Sequence, residues 1–252
     1  MRIAEIFRSI QGEGRLTGTE SIFVRTSGCN LRCRYCDTPY ASWTPEGEDL
    51  SVTEILDRID QLRRADQPSR LALFPAAAGS PGAASDDVRH VVLTGGEPML
   101  FADLVPLTAR LHATGWHITI ETSGTLYLPV ACDLMSISPK LSNSTPPLES
   151  DPQWNWRHTL HRHAPEVIHR LTAQYDCQLK FVVDRPEDCR EVEAYLAAFA
   201  DIPASRIMLM PQGADAETLA AKSAWLAPYC AERDFHFCPR RQIEWFGAAR
   251  GT

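Results

Sequence analysis

Cys29, Cys33 and Cys36 fall within eight residues, in the run Gly28-Cys29-Asn30-Leu31-Arg32-Cys33-Arg34-Tyr35-Cys36-Asp37-Thr38. Whatever this chain folds into must present three thiols from one short loop. With the spacing C-x3-C-x2-C they can converge on one inorganic centre. Iron–sulfur clusters are held by cysteine thiolates, usually four per cluster. A loop that offers three leaves one iron open to a small molecule, as a catalytic zinc keeps an open position. Two other readings stand beside this one. A structural zinc site wants four closed ligands, commonly in two tight pairs, and Cys132, Cys177, Cys189, Cys230 and Cys238 are scattered singly. Plain thiols are the third reading, since a chain of 252 residues with no secretory signal is not a small disulfide-stapled domain. The residues alone leave all three open, with the cluster first among them.

The rest of the chain alternates strand and helix patterns. Strands are expected at Ile3–Ile10, Ser21–Thr26, His90–Leu93, Trp116–Glu121, Leu134–Ile137, Gln178–Val183 and Arg206–Met210. Helices are expected at Ser51–Arg64, Phe101–Thr114, Glu166–Gln174, Pro186–Phe199 and Ala216–Arg233. Ser51 with Glu54 three residues on is a capping-box pattern. About six strands with intervening helices imply a parallel α/β arrangement, in which ligands sit at the carboxyl ends of strands. Two such ends are polar and glycine-rich: Thr94-Gly95-Gly96-Glu97-Pro98 and Glu121-Thr122-Ser123-Gly124. Residues 65–89 and 143–165 break the alternation and read as surface insertions in a single domain spanning 1–252. The second holds His158, His161 and His163, a conceivable metal site with few acidic partners.

A net charge of −7 argues against a surface built for phosphate backbones, hence against direct nucleic-acid binding. No apolar run reaches the ~20 residues a membrane helix needs. The start Met1-Arg2-Ile3-Ala4-Glu5 lacks a signal-peptide core. A cytoplasmic protein with reduced cysteines is the expectation.

The cysteine triplet resembles the signature of the radical S-adenosylmethionine (SAM) superfamily. Within it, Ile6-Phe7-Arg8-Ser9-Ile10-Gln11-Gly12-Glu13-Gly14, Phe23-Val24-Arg25, Tyr35-Cys36-Asp37-Thr38, Leu93-Thr94-Gly95-Gly96-Glu97-Pro98 and Ser138-Pro139-Lys140-Leu141-Ser142 resemble the 7-carboxy-7-deazaguanine synthase family. The resemblance runs through most of the chain, with interruptions. It implies an incomplete TIM-like (β/α)6 barrel with predominantly parallel strands. It implies a [4Fe–4S] cluster on Cys29, Cys33 and Cys36, with SAM on the fourth iron. Tyr35, Cys36, Asp37, Gly96, Glu121, Ser138, Pro139, Lys140 and Gln178 would then bind SAM. Ile10, Gln11, Gly12, Glu13, Arg25, Thr94 and Gln242 would bind a carboxylated tetrahydropterin, and Thr38 would help hold Mg²⁺. It further implies a flavodoxin-like electron donor and a homodimer.

Taken alone, several of these residues read blandly: Gln11-Gly12-Glu13-Gly14 as a turn, Arg25 and Lys140 as solvated charges, Thr38 as a cap before Pro39. Where many family members carry His after Gln-Ile, Glu244 stands here, so that contact does not carry over. The alternatives are another radical SAM activity, such as a glycyl-radical activase, and a non-catalytic zinc-binding module.

Overall fold

The computed structural model describes residues 1–65, 88–247 and 249–251. Nine strands form one open sheet: β1 (Arg2–Ile10), β2 (Glu20–Thr26), β3 (Glu48–Asp49), β4 (His90–Gly95), β5 (His117–Thr122), β6 (Leu134–Ile137), β7 (Cys177–Val183), β8 (Ile207–Pro211) and β9 (His236–Phe237). Their order across the sheet is β3-β1-β2-β4-β5-β6-β7-β8-β9. From β2 to β9 every neighbour is parallel. Among the described residues only β1 runs the other way, antiparallel to both β2 and β3. The six full-length parallel strands match the expected incomplete barrel; the sheet does not close.

The helices are α1 (Pro39–Ser42), α2 (Val52–Arg64), α3 (Leu104–Ala113), α4 (Pro152–His161), α5 (Pro165–Gln174), α6 (Pro186–Leu196), α7 (Ala216–Ala231) and α8 (Arg241–Phe246). Ser51 and Glu54 form the anticipated capping box on α2, which turns Ile55 and Ile59 into the core.

Alternation along the strands decides what the barrel interior is. Side chains of a strand point to opposite faces with period two. Ile22, Val24, Val91, Leu93, Ile118, Ile120, Met135, Ile137, Leu179, Phe181, Ile207 and Leu209 join one large buried cluster that also takes in Leu104 and Leu107 of α3 and Ile168 of α5. Full burial of one such side chain contributes about 1.5–3 kcal/mol, so this face holds the sheet to its helices. The residues in between are Phe23, Arg25, Val92, Thr94, Thr119, Glu121, Ser136, Gln178, Lys180, Val182, Met208 and Met210. A closed barrel packs its interior with branched apolar side chains; here more than half of that side is polar.

One expectation changes. Residues 143–165 are not an irregular insertion: α4 occupies Pro152–His161, with Pro152 at its first turn, where a missing N–H costs nothing. The other expected insertion, 65–89, falls almost wholly outside the described residues. Among the described residues no helix is long and apolar enough to cross a membrane.

Candidate functional site

A cavity of about 640 Å³ opens on the inner face of the sheet. The loop between β2 and α1 supplies its upper wall with Cys29, Cys33 and Cys36. Because β1 is antiparallel, its carboxyl end at Ile10 lies level with Glu20, the start of β2. The following residues, Gln11 to Glu13, therefore enter from the opposite rim and form the floor.

The cysteine loop is held by backbone. Gly28 N–H donates to Ala41 O at 2.8 Å, and Glu97 N–H donates to Gly28 O at 2.8 Å. A Cβ on Gly96 would run into the carbonyl oxygens of Gly28 and Ala41. Gly96 is glycine here because the end of β4 and the cysteine loop cross at backbone distance. Glu97 is fully buried and accepts from Thr122 Oγ1 at 2.8 Å, Ser123 N at 2.8 Å and Met99 N at 3.1 Å. It is a structural tie between the ends of β4 and β5. Behind the loop, Arg32 N–H donates to Nδ1 of the fully buried His158 at 3.2 Å, and His158 Nε2 lies 2.8 Å from Ser144 Oγ. Ser144 Oγ donates onward to Leu141 O, so His158 carries its proton on Nε2. Burial and the nearby Arg162 and Lys140 push its pKa down to about 4. The neutral imidazole braces the loop.

All eight cysteines are free. Burial pushes Cys29 up to about 12, with the Glu97 charge adding to it, and Cys33 up to about 11 despite Lys140. Two thiols in one cavity wall, too little compensated to ionise, fit a metal centre whose positive charge would draw off their protons. Among the described residues no three His, Cys, Asp or Glu side chains are grouped to hold one metal ion. A zinc gathers its sulfurs at about 2.3 Å from a single point, whereas a four-iron cluster takes one cysteine per iron, at separate corners. The donor set therefore fits the cluster better than zinc.

The floor is a network of charge. Lys180 Nζ lies 2.6 Å from Glu13 Oε2 and 3.8 Å from Glu121 Oε1. Arg240 Nε approaches Glu13 Oε1 at 3.4 Å, and its Nη2 donates to Asp37 Oδ2 at 2.6 Å. Gln242 donates to Glu13 as well. Burial alone would raise the Glu13 pKa, but Lys180 and Arg240 outweigh it and hold the carboxyl at about 2. The Lys180 ammonium, desolvated yet flanked by Glu13 and Glu121, is held above its ordinary value. Glu121 also accepts from Gln11 Nε2 at 3.2 Å and Thr94 Oγ1 at 2.9 Å.

Of the residues expected to hold the cluster, SAM, the substrate or Mg²⁺, all but Pro139 and Gln178 line this cavity. Gln178 is 2 % exposed; its Nε2 donates to Ser136 Oγ and its Oε1 accepts from Arg15 N. Glu121, expected near SAM, bonds with Gln11 and Thr94. Arg25 pairs through Nε with Glu5 at 2.6 Å, and Tyr40 OH donates to the same oxygen. Tyr35 OH donates to Asn143 Oδ1 at 2.8 Å. Lys140 Nζ donates to Ser138 Oγ at 2.7 Å. Thr38 sits at the start of α1, yet its hydroxyl makes no capping bond. Gly12 packs against Gln242, where a Cβ would collide with that side chain.

Sequence reasoning missed Lys180 and Arg240. Lys180 could have been found by strand periodicity, since it shares a face with Gln178. Nothing local marks Arg240.

A family model described as the radical SAM superfamily matches residues 23–74. The 7-carboxy-7-deazaguanine synthase of Rhodopirellula baltica is 41% identical over 251 residues, covering 99% of this chain and 88% of that protein. The one from Halobacterium salinarum is 39% identical, covering 99% and 92%. The Escherichia coli enzyme of that name is 31% identical over 83% of each chain. The crystal structure of QueE from Escherichia coli aligns with a TM-score of 0.65 at 24% identity, covering 95% of this chain and 93% of that one; this likeness is one of fold.

Proposed function

The chain belongs to the 7-carboxy-7-deazaguanine synthase family of the radical SAM superfamily, and on that premise we propose how its residues serve the reaction. The reaction is ring contraction of 6-carboxy-5,6,7,8-tetrahydropterin to 7-carboxy-7-deazaguanine with loss of ammonia, on the way to queuosine and related 7-deazapurines. A [4Fe–4S] cluster and SAM, when bound, supply the 5′-deoxyadenosyl radical that takes a hydrogen from substrate C6.

The chain's own part is to hold, orient and exclude water. Cys29, Cys33 and Cys36 would hold the cluster, with SAM beside it. Tyr35, Asp37, Gly96, Ser138, Pro139 and Lys140 form the SAM wall, with Glu121 and Gln178 behind them. Gln11, Gly12, Glu13, Thr94 and Gln242 take the pterin, with Ile10 against its ring. The Glu13 carboxylate, held ionised at about 2, accepts from ring N–H groups of the substrate. The Arg25 guanidinium offers a planar fork to the substrate carboxylate. Thr38, whose hydroxyl lies 3.9 Å from Cys36 Sγ and caps no helix, would offer an oxygen to a Mg²⁺, which takes oxygen ligands and keeps several waters. A flavodoxin-like protein supplies the electron, the enzyme works in the cytoplasm as a homodimer, and residues 1–252 act as one domain.

One observation carries this reading: the three cysteines and the pre-ionised Glu13 face the same cavity. Positioned this way, C6 of a floor-bound substrate faces the cluster wall, and most of the barrier saving comes from orientation. The test is anaerobic reconstitution with iron and sulfide, then SAM, dithionite and the carboxytetrahydropterin. The expected product is 7-carboxy-7-deazaguanine; SAM cleavage with no such product would overturn the substrate assignment.

A further inference from the structure

α4 presents a face that the reaction leaves without a role. Trp156 is 64% exposed and Leu160, one turn on, is 56% exposed; Leu148 in the preceding segment is 60% exposed. Large apolar side chains gathered at the surface mark contact sites. The helix buries only His158, so little of its apolar surface goes to holding the fold.

Its inner side touches the cluster loop. The Arg32 guanidinium stacks over the Trp154 ring at 4.1 Å, and Arg32 Nη1 donates to the carbonyl oxygen of Cys29 at 2.7 Å. Arg157 covers the same Trp154 ring at 5.5 Å. Cys29 lines the cavity, whereas Arg32, Trp154 and His158 do not. Cys29 thus has the substrate basin on one side and a chain of contacts, Arg32 to Trp154, on the other. With SAM and substrate filling the basin, an electron must arrive from the other side. On that side α4, about 10 Å across with its side chains, lies against the loop through Trp154 and His158.

Charge distinguishes the partner. Residues 152–165 contain no Asp or Glu and carry Arg157 and Arg162, with His161 and His163 beside them, in a chain of net charge −7. Arg162 is committed to Glu191 and to Lys140 O; Arg157 has no carboxylate partner among the described residues. Glu149 and Asp151 precede the helix. A basic, aromatic patch on an acidic protein steers an acidic partner while the apolar centre supplies contact. A second copy docking by two-fold symmetry would set this acid-free stretch against itself.

Building on the electron-donor reading above, we infer that the outer face of α4, centred on Trp156, Arg157 and Leu160, is the docking site of an acidic flavin-bearing one-electron carrier. The carrier loses one electron and the cluster gains it, through Trp154 and Arg32 behind Cys29, with no further co-reactant.

The test compares two reductants on the reconstituted holoenzyme. With reduced flavodoxin, a Trp156→Ser/Leu160→Gln double variant should need about tenfold more carrier for half-maximal turnover, the equivalent of ~1.4 kcal/mol. Arg157→Glu should raise that requirement and flatten its salt dependence. With dithionite both variants should match the unsubstituted enzyme. Unchanged flavodoxin dependence would overturn the inference. So would an equal loss with dithionite, which means a disturbed fold, or a shift from dimer to monomer in sedimentation, which gives the face to a second copy. If the unsubstituted enzyme makes product with dithionite but not with flavodoxin, the carrier class and this docking site fall while the reaction stands. If it makes product with neither, the reaction reading itself falls.

Discussion

The two ends of the basin solve opposite electrostatic problems. At the cluster end, burial pushes the Cys29 and Cys33 thiols up to about 12 and 11. At the floor, the equally buried Glu13 sits at about 2 because Lys180 and Arg240 lie beside it. One end is left for an incoming metal centre to neutralise; the other is balanced by the chain itself before any ligand arrives. The floor is therefore part of what folds the protein, and the thiol wall is part of what loads it.

The sharpest way to break this contrast is to replace one residue at each end. Cys33→Ala should bring bound iron and product formation to background, read by iron assay and chromatography. The same change should move the urea-unfolding stability of the cluster-free protein by less than ~1 kcal/mol. Lys180→Met should do the reverse. It leaves partly buried Glu13 with Arg240 as its remaining cation and Glu121 without the Lys180 ammonium, and losing one partner of a buried ion pair costs up to about 3–5 kcal/mol. Its iron content after reconstitution should stay near that of the unsubstituted protein. A stable Lys180→Met protein, or an unstable Cys33→Ala one, would erase the distinction.

Gly96→Ala sits between the two ends in expected size. The added methyl meets the Gly28 and Ala41 carbonyl oxygens, and overpacking of this kind costs about 1–3 kcal/mol. Because the collision falls on the cysteine loop, iron loading should drop with it, whereas a change confined to the floor should leave loading alone.

The last test is one of pH. The folded His158 pKa lies near 4 against an ordinary 6.5, so the unfolded chain takes up a proton first. Stability should fall as pH drops from about 6.5 towards 4. Glu13 works in a lower window: its contribution is complete above about 4.5 and disappears as pH approaches 2. Urea midpoints measured from pH 7 to pH 4 should show the decline, and His158→Gln should flatten it. An identical slope in that variant would remove His158 as the brace of the loop.

What the sequence disclosed and what it hid follow the same division. The cysteine triplet, the glycine-rich end of β4 and the capping box of α2 are local patterns, readable because their parts are neighbours in the chain. Most strand bounds were legible within a residue or two from alternation. The floor was half hidden: Glu13 meets Lys180 across 167 residues and Arg240 across 227, and no periodicity couples such positions. α4 was missed because its Pro, Trp and His content resembles loop composition. Asp151-Pro152 was the overlooked start signal, and tertiary contact through His158 supplies what propensity lacks. The antiparallel course of β1 was not visible either, and it brings Gln11 to Glu13 in through the lower rim.

Arg240 and Gln242 come after β9 in the chain. A ribosome therefore completes every strand of the described sheet before it delivers the two side chains that finish enclosing Glu13. Until then the nascent protein has a wall of sulfurs and a half-neutralised acid beneath it. Cluster delivery during synthesis would meet a basin still open at its base.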